Sequence, residues 1–266
     1  MIKFVKYSAA GNDFILLSEK DGNAIREKLD LARLCHRRFG IGADGIIFYK
    51  TDPLTMIYYN SDGGEAEMCG NGLRAVTDYF YRSNFISPNT EAKVLTQKHS
   101  YDVQVSDESC WIKMNDITEV GEIDITNLYK NKSSLYINTG VPHSVFEVGD
   151  LEVQNFVDLA SKIRHDQRFK NGSNVDFYRG KSKGLIEMRV FERGVEDETY
   201  SSGTGVSAVA MSYFKNNPDL ESVKIETRGG EFSAKRLGAK LEDGLLLTGP
   251  LGLTFEGSFA EEEFLK

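Results

Sequence analysis

IYYNSDGGEAEMCGNGLRAV, residues 57–76, and VFERGVEDETYSSGTGVSAV, residues 190–209, are two versions of one pattern. Set 133 residues apart, Cys69 falls on Ser202, Gly70 on Gly203, Asn71 on Thr204 and Gly72 on Gly205, with Ala75 on Ala208 and Val76 on Val209. Glu65 falls on Glu198 in the same register. Upstream, DLARLCHRRF from Asp30 matches DLASKIRHDQRF from Asp158 at an offset of 128, and AGNDFIL from Ala10 sets loosely against TGVPHSVF from Thr139. Self-similarity at a fixed offset is the mark of one structural unit used twice.

Each copy reads as strands, an amphipathic helix, more strands, a Gly-rich turn opening a second helix, and then hairpins. The helix after Gly70 puts Leu73, Val76 and Phe80 on one side with Tyr79 beside them; the helix after Gly203 does the same with Val206, Val209, Tyr213 and Phe214. Both are apolar enough to be buried on more than one face. The segments AKVLTQKHSYDVQVSDESCWIKM and VKIETRGGEFSAKRLGAKLEDGLLLTG are rich in β-branched residues, with turn signals at GG and EDG. The expected fold class is α/β: two pseudo-symmetric domains, each a mixed, mostly antiparallel sheet wrapped around a central helix. The polar stretch at 116–134 places the boundary, giving domains of 1–118 and 119–266, with the last strand able to pack back on the first.

At 266 residues, 40% hydrophobic and 27% charged with a formal net charge of -8, the chain has the composition of a soluble, mildly acidic protein. Negative charge repels phosphate backbones and anionic membranes, so neither nucleic acid nor a membrane is an expected partner. No long apolar run or secretory pattern stands out, and the expected location is the cytoplasm. Cys35, Cys69 and Cys110 are odd in number and lack C-x-x-C spacing, which points to neither a disulfide framework nor a metal site.

The chemistry sits in the paired turns. A helix amino terminus presents unpaired N–H groups and the positive end of the macrodipole, and glycine lets an anion come close. Cys69 lies at such a terminus, where the field lowers a thiol pKa and makes it usable as a base. Cys35, inside an amphipathic helix, and Cys110, beside Trp111 in a strand, read as small buried hydrophobes. His36, His99 and His165 read as surface or packing residues. His143, behind Gly140 and Pro142, reads as close to the site. Other motifs fail on context. Gly70 to Ala75 matches G-x-G-x-x-A but follows a charged turn instead of a buried strand. GKS at Gly180 has Val175 where a phosphate loop needs glycine. No hydrolase-type acid/base trio assembles.

Taken with GNDF at Gly11, GIGADG at Gly40, NSDGGEAEMCGNGLRA at Asn60, GVPH at Gly140, NVDF at Asn174, ERG at Glu192 and SGTG at Ser202, the chain resembles the diaminopimelate epimerases over nearly its full length. The resemblance implies two mirrored α/β domains with the active site in the cleft between them, a homodimer, no cofactor, and inversion of one stereocentre of diaminopimelate on the lysine and cell-wall pathway. It implies catalytic roles for Cys69, for the residue at Ser202 and for His143 near the pair. Gly70, Asn71, Gly203 and Thr204 would hold the reacting carboxylate through their amides. Asn12, Asn60, Asn174, Glu192 and Arg193 would contact the substrate, with Arg193 on the distal carboxylate.

The departures from the family pattern are Ser202 in place of the second cysteine, Val141 where asparagine is usual, and Gly45 where glutamine is common. The last two make the pocket less polar or more permissive. A hydroxyl is a far poorer acid and base than a thiol, and loss of a positioned acid or base costs about 10²- to 10⁴-fold in rate. Four readings follow for Ser202: a substitution silencing one base of an ordinary epimerase; a slow or broader amino-acid racemase; a one-base lyase of the same fold; and, in a different class, a non-catalytic amino-acid-binding protein.

Overall fold

The computed structural model describes residues 1–19, 25–66, 68–106, 109–115, 117–129, 133–152, 155–170, 172–240 and 243–266. Asp107 and Glu108 of the expected strand segment, Asp116 and residues 130–132 of the expected boundary, and Glu242 of the EDG turn lie outside the described residues. Contacts divide the chain into two compact units, Met1–Ile112 with Pro250–Lys266, and Lys113–Gly249.

In the first unit the strands are β1 (Ile2–Ala9), β2 (Asn12–Ser18), β3 (Gly45–Thr51), β4 (Leu54–Asn60), β5 (Glu65–Ala66), β6 (Thr90–Leu95), β7 (Ser100–Val105) and most of β8 (Cys110–Met114), whose last two residues are counted with the second unit. β1 pairs antiparallel with β2, β2 parallel with β3, β3 antiparallel with β4, β4 parallel with β6, and β6, β7 and β8 follow antiparallel. Parallel neighbours need a crossover. The link from β2 to β3 carries short helices α1 (Ile25–Lys28) and α2 (Leu31–Cys35), and the link from β4 to β6 carries α3 (Gly70–Arg82).

In the second unit β9 (Ile117–Asp124), β10 (Ser133–Thr139), β11 (Pro142–Glu147), β12 (Asn174–Ser182), β13 (Leu185–Glu192), β14 (Asp197–Thr199), β15 (Ser222–Thr227), β16 (Gly230–Arg236) and β17 (Leu245–Thr248) repeat the scheme. β10 is antiparallel to β11, β11 parallel to β12, β12 antiparallel to β13, β13 parallel to β15, and β16 and β17 follow antiparallel. Its crossovers are α4 (Phe156–Arg164) and α5 (Gly203–Asn216). β5 and β14 take equivalent places as short hairpin partners of β4 and β13. An outer strand pairs antiparallel with the first of each set: β18 (Gly252–Phe259) with β1, and β9 with β10. The duplication read from the sequence is therefore a duplication of topology.

Burial follows the two periodicities. β7 and β8 alternate, with Tyr101, Val103, Val105, Cys110, Ile112 and Met114 inward, while the parallel neighbours β2 and β3 are buried in near-continuous apolar runs. α3 lies against β1, β2, β3, β4, β7 and β18, and α5 against β10, β11, β12, β15, β16 and β17. Each helix is the core around which its sheet curls. α5 is buried at nearly every position from Gly203 to Phe214, and α3 from Gly70 to Thr77 and again at Phe80.

The upstream helix match is looser in structure than in sequence. In α2, only five residues long, Asp30 is the N-cap and its carboxylate accepts from the Arg33 amide at 3.0 Å. In α4 the aligned Asp158 lies inside the first turn and Asn155 begins the helix. Among the described residues no helix is long and apolar enough to cross a membrane.

Leu73 is fully buried at the centre of the first unit. Leu73→Ala is expected to cost about 3 kcal/mol through lost transfer energy and a residual cavity, read as a lower midpoint of urea unfolding; an unchanged midpoint would contradict the central placement of α3.

Candidate active site

Both central helices begin in the same way. Cys69 is the N-cap of α3 in extended conformation (φ -140°, ψ 110°), and its sulfur accepts from the Gly72 amide at 3.4 Å. Ser202 is the N-cap of α5 (φ -133°, ψ 120°), and its hydroxyl oxygen accepts from the Gly205 amide at 3.3 Å. The N-cap bond satisfies one of the orphan N–H groups of the first turn. The amides of Gly70 and Asn71, and of Gly203 and Thr204, belong to the same turns.

Packing behind each turn explains the third-position glycine. A Cβ on Gly72 would stand 3.1 Å from Ile47 Cδ1 and 3.5 Å from the Cys69 sulfur. A Cβ on Gly205 would stand 2.6 Å from Asp176 Oδ1, 3.2 Å from Ser202 Cβ and 3.4 Å from His143 Cε1. Gly205 is thus obligatory on sterics alone.

In the first unit a chain of side chains runs away from the α3 terminus. Arg74, fully buried, donates to Asn71 Oδ1 at 2.7 Å and to the Pro250 carbonyl at 3.1 Å. Guanidinium has donors only, so Asn71 must turn its oxygen to Arg74 and its amide nitrogen to Asn12, whose Oδ1 accepts at 2.8 Å. Burial pulls the Arg74 guanidinium down to about 10, against the electrostatic influence of Cys110 and Cys69. Behind Asn12, burial raises the Asp13 carboxyl, but bonds from Arg37 and Lys6 outweigh it and hold the group at about 2. Asn60 ends β4, exposed, opposite Gly45 of β3, and its backbone closes the turn to Gly64.

In the second unit the site gathers around Ser202. The parallel register of β11 and β12 sets His143 beside Asn174. His143 and Asp176 are fully buried and bonded at 2.6 Å between Nδ1 and Oδ2. A carboxylate only accepts, so Nδ1 carries the proton and Nε2 is turned to Asn174, 3.5 Å away. Asn174 also donates to the Pro142 carbonyl at 3.0 Å and accepts the Arg193 amide at 2.9 Å. Burial pushes the Glu192 carboxyl up, opposed by a bond from the Thr199 hydroxyl at 2.5 Å, by His143 and by a bond from the Ser202 hydroxyl. The Ser202 oxygen also lies 3.1 Å from Thr204 Oγ1. Thr139 reaches the Thr204 carbonyl at 3.1 Å.

Cys69, Gly70, Asn71 and Asn12 are thus joined in one unit, and Ser202, Gly203, Thr204, His143, Asn174, Glu192 and the Arg193 backbone in the other. Two participants were not singled out from sequence. Asp176 sits in the NVDF motif, two residues after Asn174, on the side of β12 that faces α5. Arg74 follows the Gly-rich turn on the inner face of α3. His36, His99 and His165 are exposed, and Cys35 and Cys110 are buried, as their surroundings in sequence suggested. Among the described residues no group of His, Cys, Asp or Glu is arranged to hold a metal ion.

The family profile described as diaminopimelate epimerase matches residues 4–120 and 135–250. The chain belongs to the diaminopimelate epimerase family. It is 32% identical over 276 residues to the diaminopimelate epimerase of Aquifex aeolicus, covering 98% of this chain and 99% of the relative. It is 33% identical over 277 residues to that of Methanothrix thermoacetophila, covering 98% and 97%. Membership makes the chain an isomerase of the epimerase and racemase type. The fold is shared more widely. A putative phenazine biosynthesis PhzC/PhzF protein from Clostridium difficile superposes with TM-score 0.72 at 13% identity, over 98% of this chain and 100% of that one. A hydroxyproline epimerase from Agrobacterium vitis with bound trans-4-hydroxy-L-proline gives 0.69 at 13% identity, over 96% and 90%.

Burial pushes the thiols of Cys35 and Cys110 up to about 12. Iodoacetamide at neutral pH is therefore expected to label Cys69 alone in the native protein and all three cysteines after unfolding, as read by peptide mass; native labelling of Cys35 or Cys110 at a comparable rate would contradict the site.

Proposed function

We propose that the protein inverts one α-carbon of diaminopimelate, LL to meso, without a cofactor, and that Ser202 limits the rate. The observation that carries this reading is the pair of helix starts: the same extended N-cap and glycine-relieved first turn, once with a sulfur and once with a hydroxyl. The Cys69 thiolate takes the α-proton. The electron pair left on carbon delocalises into the α-carboxylate, whose growing charge is met by the amides of Gly70, Asn71, Gly203 and Thr204. A proton supplied through Ser202 to the opposite side of the carbon completes inversion, and each group works in reverse for the return reaction.

Glu192, whose burial favours its protonated form, is the group from which the Ser202 hydroxyl can be resupplied; His143, its Nδ1 proton held by Asp176, packs behind the same turn and fixes its shape. Asn12, Asn60, Asn174 and Arg193 bind the rest of the substrate, Arg193 through its distal carboxylate. By the same reading, carried from the family resemblance, the enzyme acts in lysine biosynthesis in the cytoplasm as a homodimer.

The test follows α-deuteration and stereochemistry of diaminopimelate stereoisomers in deuterated water. Ser202→Cys is expected to raise the inversion rate about 10²- to 10⁴-fold, equivalent to roughly 3 to 5 kcal/mol of barrier, and Cys69→Ala to abolish exchange. Fast inversion by the unaltered protein, with no gain from cysteine, would show that serine is not limiting. Binding with no exchange in any variant would leave an amino-acid-binding protein.

A further inference from the structure

Arg74 has no part in the reaction above, yet it is a fully buried cation in the second turn of α3. A buried guanidinium is costly unless its donors are met. Here Nη1 donates to the Pro250 carbonyl at 3.1 Å and Nη2 to Asn71 Oδ1 at 2.7 Å. At the equivalent place in α5, 133 residues on, stands Ser207, whose hydroxyl donates to the Gly203 carbonyl of its own helix at 2.9 Å. The cation therefore belongs to the Cys69 helix start and not to the repeated scheme.

The bond to Asn71 begins a chain that runs in one direction. A side-chain amide accepts at oxygen and donates at nitrogen. With its oxygen on Arg74, Asn71 donates from Nδ2 to Asn12 Oδ1 at 2.8 Å. Asn12 in turn donates from Nδ2 to Asp44 Oδ2 at 3.4 Å. The same Asp44 oxygen accepts the Asp13 amide at 3.1 Å, and the other accepts from Arg37 at 2.7 Å. A donor-only guanidinium at one end and an acceptor-only carboxylate at the other fix both amides in the same sense. Asn12 follows the two-residue link from β1 to β2, with Ala10 and Gly11 at φ 52° and 93°. Its backbone is held by that turn, and the chain from Arg74 settles which way its side chain faces.

We infer that Arg74 is a positioning residue for Asn12: through Asn71 it commits the Asn12 oxygen to the protein and leaves the amide nitrogen as the group Asn12 offers to a ligand. A carboxamide has two N–H donors; Asp44 takes one, and the second faces the ligand. The ligand atom that Asn12 meets is then an acceptor, which an amino acid supplies as a carboxylate. An Asn12 turned the other way would set its oxygen against that carboxylate. The consequence for diaminopimelate rests on the substrate contact proposed for Asn12; the direction of the chain does not.

The experiment measures KM and kcat of diaminopimelate epimerisation for Arg74→Met, alone and combined with Asn12→Ala. Arg74→Met keeps an apolar stem and removes the donors, so that both amides can turn. KM is expected to rise about tenfold, as for the loss of one hydrogen bond to a charged group. kcat is expected to change little, because the contact is made in the ground state and the transition state alike. With Asn12→Ala in place the rise is expected to vanish. If Arg74→Met does not fold, Asn71→Asp decides: it keeps the shape and the partner of Arg74 but has no N–H, so Asn12 must turn its nitrogen inward. The same Asn12-dependent rise is expected. A KM that stays in the folded variant, or that rises equally without the Asn12 side chain, overturns the inference.

The second readout needs no substrate. Exchange of the Asn71 side-chain amide into deuterated water, followed by NMR, is expected to quicken in Arg74→Met, while the Leu73 backbone amide, bonded to the Cys69 carbonyl at 2.8 Å, stays protected. In Asn71→Asp the Asn12 amide is read instead, and its exchange is expected to slow. Unchanged exchange overturns the inference with the epimerase reading intact. The expected change of exchange in a protein that never acts on diaminopimelate would overturn the epimerase reading and leave the Arg74 chain standing.

Discussion

The start of each central helix is the constraint on which the rest of the structure depends. An N-cap residue in extended conformation offers an acceptor to the amide of the third helical residue, and here the acceptor is also the candidate reactive group, Sγ of Cys69 or Oγ of Ser202. The turn must be bare, because Ile47 in one unit and Asp176 with His143 in the other fill the space a side chain would need. The helix must be buried, because it is the crossover of a parallel strand pair and the sheet closes around it. Amides, glycines and reactive atom are thereby fixed in one piece of backbone.

The two versions differ in chemistry more than in shape. At Cys69 the Gly72 amide donates to the sulfur, and the buried Arg74 guanidinium adds positive charge from inside the helix. These favour an anion, and a thiol can become one near neutral pH. Around Ser202 stand the Thr204 hydroxyl, the Glu192 carboxyl and, one layer behind, the His143–Asp176 pair. A hydroxyl there is suited to pass a proton from a neighbour, not to accept one outright. In the proposed reaction the first site is the stronger base, and the second supplies a proton through a relay.

Much of this was legible in the chain because it is local or repeated. The offset that aligns Cys69 with Ser202 also aligns the crossover helices, and the two sheets follow the same sequence of parallel and antiparallel neighbours. Gly72 and Gly205 announce bare turns, and the apolar stripes of α3 and α5 announce burial. What was not legible depends on contacts across sequence. Asp176 becomes the partner of His143 only through the parallel pairing of β11 and β12. Arg74 is not singled out by its place in the chain, and is fully buried because its guanidinium finds Asn71 and the Pro250 carbonyl. The equivalence of Asp30 and Asp158 misleads for a related reason: one caps its helix and the other lies within the first turn.

The asymmetry of the two helix starts is tested most directly by comparing, for each diaminopimelate epimer separately, the initial rate of α-deuterium incorporation from deuterated water with the initial rate of inversion. The account predicts incorporation that outruns inversion from the epimer whose α-hydrogen Cys69 removes, and not from the other. Inversion that keeps pace with incorporation from both epimers would contradict it, because Ser202 would then be passing protons as readily as Cys69.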